Sequence, residues 1–441
     1  MPVIDLATML QGITEESIPG EARQKAIQCS QDMAGVFLGG KNLPEGQQVH
    51  QALAGASGTI GEPGALALWI GSVTRLLDFD DGHRRAMGHP GVPILSSAIA
   101  LAKTVDFPGK KFIQAITRGY EAYGYIGRVV NPKAYLERGF DATGICGAVG
   151  SAATAGTILG LCTEELGNAI SIAGSLCGGL NQYAIDGGSP KFLCAGWAAK
   201  LGITAAQLAK AGLDGPSDIF RGRKGFCQGF AVEYDPELLN DYRIHWEILN
   251  VYLKRFACVR RLHASLDIVD RIVGENALTA DRIERIDVYG SAFIAESAKY
   301  APKDLTLAQT SMPYAIAILL KYGAVTMELL KENLGNQDIR RLAEKVVITE
   351  EEAFNEILKK DKGLWGAARI DLRTKDGETF TEERHYALGE RENPLPENAL
   401  REKFMGLASR SLGPNAAREI YEGLADLENL ETARTLASKI I

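Results

Sequence analysis

A run of small residues in the first half of the chain constrains the fold most. Residues 147–161 read GAVGSAATAGTILGL, and glycine accounts for 48 of the 441 residues. Glycine inside a helix costs roughly 1 kcal/mol relative to alanine. Such a segment is stable as a helix only where its smooth surface lets neighbouring buried helices approach closely. The run therefore predicts a tightly packed, buried helical core.

Apolar residues recur at helical spacing elsewhere in the same half. Phe112, Ile116, Tyr120 and Tyr123 fall on one face of a helix. Thr163 is followed by two glutamates and an apolar periodic segment, so it is predicted to be the N-cap of the next helix.

The pattern changes after about residue 245, where short alternating or β-branched segments appear. The predicted strands are residues 283–289, 345–349, 368–373 and 379–386. A Lys-Asp-Gly turn joins the last two into a hairpin, and helices are expected around residues 313–322 and 327–334.

These patterns predict a mainly α fold. A large all-α helical domain is expected over residues 1–248, completed by residues 396–441. A smaller α+β lid domain is expected as an insertion over residues 249–395.

Composition excludes several classes of partner. The net charge is −7 with both signs interspersed, whereas nucleic-acid binders carry a basic face. No uninterrupted apolar stretch reaches membrane-spanning length, and the opening residues do not show the basic start and apolar core expected of a signal sequence. The seven cysteines are widely spaced and form no CxxC pair, which is typical of reduced thiols. We therefore expect a cytoplasmic protein with neither a nucleic-acid nor a membrane partner.

The densest polar cluster is residues 78–90, DFDDGHRRAMGHP, between two apolar stretches. It contains three carboxylates, two imidazoles and two guanidinium groups, a combination that packing alone does not explain. One interpretation is a solvated loop with chance charges. The functional interpretation is a loop in which carboxylates orient imidazoles while arginines hold an anion.

The same cluster raises the alternative of a metal site, since carboxylates and imidazoles bind cations. The aspartate-rich magnesium site of isoprenoid enzymes needs another carboxylate one helical turn later. Here Gly82, His83 and two arginines follow Asp81, and no second aspartate-rich segment occurs. A metal site is therefore the weaker interpretation.

Two further segments carry cations. Lys191 follows a Gly-Gly-Ser-Pro turn and opens an alanine-rich and glycine-rich helix. Its ammonium can bind a carboxylate or, if desolvated, act as a base; a solvent-exposed lysine at a helix start is the alternative. Residues 254–263 hold four cations beginning with Lys254, and spacing alone fits an anion site and a solvated basic face equally well.

On these residues the chain resembles the MmgE/PrpD family over nearly its whole length. The most specific match is Leu-Asp-Phe-Asp-Asp at residues 77–81, followed by His89 and Pro90. Further matches, in the same order as in the family, are residues 16–19, 32–40, 109–121, 140–180, 215–216, 225–226 and 308–314. Known members include 2-methylcitrate dehydratase, cis-aconitate decarboxylase and iminodisuccinate epimerase.

The resemblance implies a helical domain with an α+β lid, a homodimer, and catalysis without a metal or organic cofactor. It also implies a lyase of the dehydratase type that abstracts a proton alpha to a carboxylate of a small di- or tricarboxylate. Cationic groups would stabilise the enediolate-like charge that this step creates. An epimerase or decarboxylase of a related dicarboxylate, and an inactive binding protein on the same fold, stay open as alternatives.

The resemblance also implies site residues. The predicted catalytic residues are His89, Asp78, Lys191 and Asp141, and the predicted substrate-binding residues are Lys254, Arg85 and His83. His89 would transfer the proton, and the lysines with Arg85 would hold carboxylates. Asp78 would orient an imidazole or fix the loop. Asp141 would be a second acid or base, or contact an amino or hydroxyl group, and no metal ligand is expected.

Three positions depart from the family pattern. The family often has Thr or Ser at the position of Gly82, commonly His at that of Asp141, and His at that of Cys194. A carboxylate at position 141 in place of an imidazole should repel a third substrate carboxylate. The departures therefore weaken 2-methylcitrate and cis-aconitate as substrates.

Overall fold

The computed structural model describes residues 2–361 and 363–441. Across this described part of the chain there are 22 α-helices, with 60% of residues in helices and 8% in strands. These proportions confirm the mainly α fold class.

The chain forms two compact units. The first contains the chain up to Tyr183, residues 189–253 and residues 396–441. The second contains residues 184–188 and 254–395.

Helices build almost all of the first unit. Up to residue 253 the helices are α1 (Pro2–Gln11), α2 (Gly20–Gly40), α3 (Pro44–Ala54), α4 (Pro63–Leu76), α5 (Gly91–Ala102), α6 (Gly109–Val130), α7 (Lys133–Leu136), α8 (Ala142–Leu159), α9 (Thr163–Leu176), α10 (Tyr183–Asp186), α11 (Pro190–Lys210) and α12 (Phe226–Phe230). A two-residue antiparallel ladder joins β1 (Gly82–His83) to β2 (Val251–Tyr252). The predicted domain boundary at residue 248 lies just before this ladder.

Small residues let these helices touch, as the glycine-rich sequence predicts. A Cβ atom added to Gly71 on α4 would lie 2.7 Å from the Cα atom of Gly196 on α11. A Cβ atom added to Gly150 on α8 would lie 2.9 Å from the carbonyl oxygen of Gly119 on α6. Side chains at these crossings would separate the helices, so the missing side chains offset the low helix propensity of glycine.

The second unit combines helices with a small mixed sheet. Its helices are α13 (His263–Glu275), α14 (Ala292–Ala295), α15 (Leu305–Ala308), α16 (Met312–Tyr322), α17 (Met327–Glu332), α18 (Gln337–Ala343) and α19 (Glu352–Lys360). Its strands are β3 (Ile283–Gly290), β4 (Val346–Glu350), β5 (Ala368–Thr374) and β6 (Thr379–Arg384). The strand order is β4-β3-β5-β6, with β4 parallel to β3 and the other pairs antiparallel.

The predicted hairpin is present as β5 and β6. Gly377 occupies the turn with φ +89°, a conformation that glycine adopts without steric cost. Ile370 and Leu372 of β5 are buried in one core with Ile286 and Val288 of β3. The alternation of apolar and polar residues along these strands therefore corresponds to one buried face.

The chain ends in three helices of the first unit, α20 (Glu397–Leu412), α21 (Pro414–Ala425) and α22 (Ala433–Ile440). Phe404 of α20 packs on α2 where Gly35 leaves space, since a Cβ atom there would lie 2.9 Å from the ring.

The predicted N-cap of α9 is wrong by one residue. The N-cap of α9 is Cys162, not Thr163, which is already the first helical residue. The Glu165 carboxylate accepts a hydrogen bond of 2.8 Å from the Cys162 backbone N–H. This is the reach-back of a capping-box glutamate, and it selects the residue three positions earlier as the cap.

Two described helices, α8 and α11, are long and apolar enough to cross a bilayer by length and composition alone. The sequence had indicated no such stretch. The window is 94% buried in α8 and 50% buried in α11, and core helices pass the same test, so this is weak evidence for a membrane span.

Candidate active site

The polar segment 78–90 forms the connection between α4 and α5. Asp78 begins it in the left-handed region with φ +51°, which aspartate tolerates better than most residues. Met87 and Gly88 also have positive φ, and the His83 N–H donates to the Gly88 carbonyl at 3.1 Å. The segment is therefore a closed turn with a defined backbone, and His89 follows directly after it.

Ion pairs between α4, this loop and α11 form the centre of the site. The Arg75 Nη1 atom donates to Asp78 Oδ1 at 2.7 Å and to Asp80 Oδ1 at 3.3 Å. The Lys191 Nζ atom donates to Asp78 Oδ2 at 2.9 Å. All four side chains are buried. Burial alone lowers the pKa of Arg75, but the two carboxylates outweigh it and raise that pKa well above its usual value.

His89 lies beside this cluster in a defined orientation. Its Nδ1 atom is 2.7 Å from the Asp81 carbonyl oxygen and 2.9 Å from Asp80 Oδ2. Both neighbours are acceptors, so Nδ1 carries a hydrogen, and Nε2 is the basic nitrogen of the neutral ring. The side chain is 15% exposed, and the His89 backbone N–H donates to Thr143 Oγ1 at 3.0 Å. The imidazole is thus oriented through Nδ1 and is partly exposed.

One donor atom each from Asp78, Asp80 and His89 lies within 4.8 Å of the others, a spacing that a divalent cation can use. Three of the four carboxylate oxygens already accept hydrogen bonds from Arg75 or Lys191, however, and His89 Nδ1 is itself a donor. A resident cation would have to displace two buried positive charges from the same carboxylates. The donor set therefore does not fit a metal ion.

Asp141 is the N-cap of α8, where its Oδ1 atom accepts from the Gly144 N–H at 2.6 Å. The Tyr183 hydroxyl donates to its other carboxylate oxygen. Burial and the Asp141 charge raise the pKa of Tyr183 well above its usual value, while Arg75 acts in the opposite direction. The charge of Arg75 therefore acts on the Asp141–Tyr183 pair as well as on the carboxylates of the ion-pair cluster.

The other predicted residues have different surroundings. His83 is fully buried, with Nε2 2.9 Å from Glu247 Oε2 and Nδ1 accepting from the Ala86 N–H at 3.0 Å. Arg85 is exposed on the loop. Lys254 belongs to the second unit, where its side chain is completely buried. The structure therefore brings Asp78, His89 and Lys191 together, and it leaves His83 and Arg85 outside that cluster.

The buried carboxyl group of Asp81 also stabilises the loop. Asp81 accepts from the Tyr120 hydroxyl at 2.8 Å and from the Gly91 N–H at 3.0 Å. Burial raises its pKa to about 7, against the effect of these hydrogen bonds. Position 91 has to be glycine here, because a Cβ atom would overlap the Asp81 carboxyl.

Two departures from the family pattern have physical counterparts in the structure. A Cβ atom at Gly82 would overlap the hydroxyl and ring of Tyr252, which therefore fills the space that a Ser or Thr side chain needs. Burial raises the pKa of the Cys194 thiol to about 12, so it is neutral and is not a thiolate nucleophile.

Sequence reasoning missed Arg75 and Tyr183. Arg75 had a local signal, because it is the one cation in the apolar helix α4 and precedes Asp78 by three residues. Tyr183 had none, since its contact with Asp141 spans 42 residues.

The fold and site together define a mainly α protein with a buried carboxylate and cation cluster beside an oriented imidazole. Comparison with known families identifies it further. The MmgE/PrpD N-terminal domain matches residues 4–239 and the MmgE/PrpD C-terminal domain matches residues 256–429. The chain belongs to the MmgE/PrpD family, and it is an enzyme of that type.

Three relatives show the range of this similarity. The cis-aconitate decarboxylase-like protein oryM of Aspergillus oryzae is 24% identical, covering 96% of this chain and 94% of the relative. Human cis-aconitate decarboxylase is 29% identical, covering 82% and 76%. The 2-methylcitrate dehydratase of Escherichia coli is 26% identical, covering 84% and 80%.

Proposed function

We propose that this enzyme is a cofactor-independent lyase of the dehydratase type that abstracts a proton alpha to a carboxylate of a small di- or tricarboxylate. The observation that supports the proposal most strongly is the oriented His89 imidazole beside two buried cations. Relatives named for 2-methylcitrate and cis-aconitate chemistry point to the same class of substrate.

His89 is the proposed proton-transfer group. Its neutral ring presents Nε2 as the base, while Nδ1–H faces Asp80 and the Asp81 carbonyl. When Nε2 takes the substrate proton, the imidazolium that forms keeps the Asp80 carboxylate as its counter-charge. General base catalysis of this kind contributes about 10²- to 10⁴-fold in rate.

Lys191 is the proposed stabiliser of the substrate carboxylate, with Asp78 holding its ammonium at 2.9 Å. A substrate carboxylate that becomes enediolate-like gains negative charge, and a fixed ammonium stabilises that charge without reorganisation. Arg75 maintains the neighbouring positive charge. Lys254 and Arg85 remain proposed contacts to further substrate carboxylates.

The Asp141–Tyr183 pair is the proposed second proton-transfer group or contact to a hydroxyl or amino group. Elimination requires a proton for the departing hydroxyl group, and an acid on the second face would supply it. The Asp141 carboxylate disfavours a third substrate carboxylate near it, so hydroxy or amino dicarboxylates lead the list of candidate substrates.

Decarboxylation is the second candidate reaction, because two of the relatives described above bear decarboxylase names. It would use the same cations to hold the substrate, with His89 starting as the imidazolium and delivering its Nε2 proton to the carbon that loses carbon dioxide. In epimerisation His89 would remove the proton from one face of the carbon, and Asp141 or Tyr183 would donate its own proton to the opposite face.

The assembly and location are also proposals. Leu176 on α9 and Trp197 on α11 are 65% and 60% exposed, which is unusual for large apolar side chains. They are the surface proposed to meet a second copy in the homodimer that the family resemblance implies. A cytoplasmic location remains the expectation from the reduced cysteines.

Proton NMR in deuterium oxide tests the reaction. The purified protein is incubated with a panel of di- and tricarboxylates that includes hydroxy and amino acids. Deuterium at the carbon beside a carboxylate would support proton abstraction, and the product would separate elimination, epimerisation and decarboxylation. Saturable binding without exchange for any member would contradict the proposal and favour an inactive binding protein.

A chelator provides the second arm of this experiment. Activity that survives excess chelator is the expected result, because Arg75 and Lys191 already neutralise the carboxylates. Loss of activity that magnesium restores would favour the metal-dependent alternative instead.

A further inference from the structure

We propose that Glu247 is a positioning residue for His89 and acts through His83. The inference rests on the proposed function, because His89 is assigned there as the proton-transfer group. It starts from a buried network that the proposed chemistry does not use, on the side of the loop away from the ion-pair cluster.

His83 has both ring nitrogens engaged inside the protein. Nδ1 accepts from the Ala86 N–H at 3.0 Å, so it carries no hydrogen. The hydrogen must then be on Nε2, which donates to Glu247 Oε2 at 2.9 Å. The Glu247 carboxylate therefore selects the tautomer that lets the ring close the turn over Ala86.

Glu247 is itself fixed by several partners. Its Oε1 atom lies 2.7 Å from Arg128 Nε, and Oε2 accepts from Asn250 Nδ2 at 2.9 Å. Its backbone N–H donates to Glu121 Oε2 at 2.8 Å. Burial raises its pKa, but His83 and Arg128 outweigh that effect and lower it to about 2. The group is thus an ionised, buried carboxylate with a defined position.

Helix α6 has glycines at the two positions where Glu247 and Ala86 pack against it. A Cβ atom at Gly124 would overlap the Glu247 side chain, and one at Gly127 would overlap Ala86. Asn131, the residue directly after α6, donates from its side-chain amide to the Ala86 carbonyl at 2.6 Å. The missing side chains let Glu247 and the loop lie directly on the helix, so α6 is the rigid base of the turn.

The hydrogen bonds of this turn fix the position from which His89 follows. The His83 N–H donates to the Gly88 carbonyl, and the Tyr123 hydroxyl donates to the Met87 carbonyl at 2.7 Å. His89 follows Gly88 without an intervening residue. A shift of about 1 Å in a reacting group costs up to about 10²-fold in rate, so holding this turn is a catalytic requirement.

The test combines histidine ¹⁵N NMR with kinetics on Glu247→Gln, whose amide retains shape but loses the charge. The wild-type spectrum is expected to show His83 protonated on Nε2 and His89 protonated on Nδ1. In the variant we expect the ¹⁵N shifts of both rings to change, kcat to fall about 10- to 100-fold, and substrate Kd to stay within about threefold. His385→Gln, at an exposed histidine of the second unit, is the matched control.

Three results would overturn the inference. They are a wild-type His83 protonated on Nδ1, a variant whose His89 signals stay at their wild-type shifts, and a kcat loss that only matches the loss of folded protein. Asn250→Ala removes one Glu247 hydrogen bond and gives a milder second variant if Glu247→Gln does not fold. Failure of the proposed function is distinguishable, because wild-type protein would then show no proton exchange while the NMR tautomers are still measured.

Discussion

The two histidines of the loop between α4 and α5 are six positions apart and have opposite environments. His83 is completely buried, and its two ring nitrogens contact Glu247 and Ala86. His89 is 15% exposed, and its Nδ1 atom lies 2.7 Å from the Asp81 carbonyl oxygen and 2.9 Å from Asp80 Oδ2. The tautomer of the buried ring is fixed by its two partners, whereas the partly exposed ring is the one proposed to exchange a proton.

The comparison separates the loop into a part that is held and a part that is proposed to react. The held part is tied to α6 by a network around Glu247, and the reacting part adjoins the ion pairs of Arg75, Asp78 and Lys191. Residue type alone does not distinguish the two histidines. Their hydrogen-bond partners do, and the following predictions test that distinction.

The largest expected effect is on turnover in His89→Gln. Removal of the proposed base should lower kcat by about 10²- to 10⁴-fold while substrate binding persists. Steady-state kinetics with the substrate identified by deuterium exchange, together with calorimetric binding, would measure it. Normal turnover would eliminate His89 as the proton-transfer group.

Asp78→Asn should produce the largest loss of stability. The change leaves the buried Arg75 and Lys191 cations with less opposing charge, and breaking a buried pair this way costs about 3–5 kcal/mol. Urea unfolding of variant and wild type measures the difference. Asp376→Asn, in an exposed pair with Arg282, is the control and should leave the unfolding free energy unchanged.

Lys191→Met tests whether the ammonium is a carboxylate clamp. Loss of a hydrogen bond to a charged group costs roughly 1.5–3 kcal/mol, which corresponds to about a 10- to 100-fold weaker Kd. If instead kcat falls and Kd is unchanged, Lys191 is not a ground-state clamp and acts in turnover, as the base or as the stabiliser of the enediolate-like charge.

The two parts of the loop should respond to pH in opposite directions. The pKa of Asp81 is raised from 3.8 to about 7, so its stabilising contribution is present at low pH and is lost as pH rises through about 7. The pKa of Glu247 is lowered from 4.5 to about 2, so its contribution is present above 4.5 and is lost as pH falls toward 2. Each window has a limiting slope of roughly 1.4 kcal/mol per pH unit.

Unfolding free energies from pH 3 to 8 would separate the two windows. Asp81→Asn should flatten the decline toward pH 8, and Glu247→Gln should flatten the decline toward pH 3. Other buried carboxyls contribute to the remaining decline with rising pH, because burial raises the pKa of Glu121 to about 7 and also raises the pKa values of Asp32 and Asp267. The same pH profile in both variants would remove the distinction between the two networks.

The smallest effect is expected at the exposed apolar surface. Trp197→Lys should shift the protein from dimer to monomer in analytical ultracentrifugation, because the Trp197 side chain is 60% exposed. A wild-type monomer at micromolar concentration would contradict the homodimer.

Much of the fold could be predicted because its causes are local. Alternating residues predicted the strands β3 and β5, and the glycine and alanine content predicted closely packed helices. The predicted N-cap, Thr163, was wrong by one residue. The hydrogen bond that the Glu165 side chain accepts from the Cys162 backbone N–H, rather than propensity, selects the cap. Local patterns determine which segment is a helix or strand more reliably than they determine where it begins.

The candidate site was predicted only in part. The segment 78–90 and Lys191 were identified from chemistry and family resemblance, while Arg75, Tyr183 and Glu247 were not. Lys191 contacts Asp78 across 113 residues, and Glu247 contacts His83 across 164. Neither pairing has a periodic signal, because each is created by helix packing.

By itself the sequence determined the mainly α class, the strands of the second unit and the loop that carries the proposed catalytic groups. Those depend on propensity, on alternation and on the clustering of charged residues within a few positions. The tertiary structure alone decided which histidine is buried against the Glu247 carboxylate and which lies partly exposed beside the ion-pair cluster. Hydrogen-bond partners are set by distances in space, and a long-range fold brings together residues whose separation in the chain carries no information about their contact.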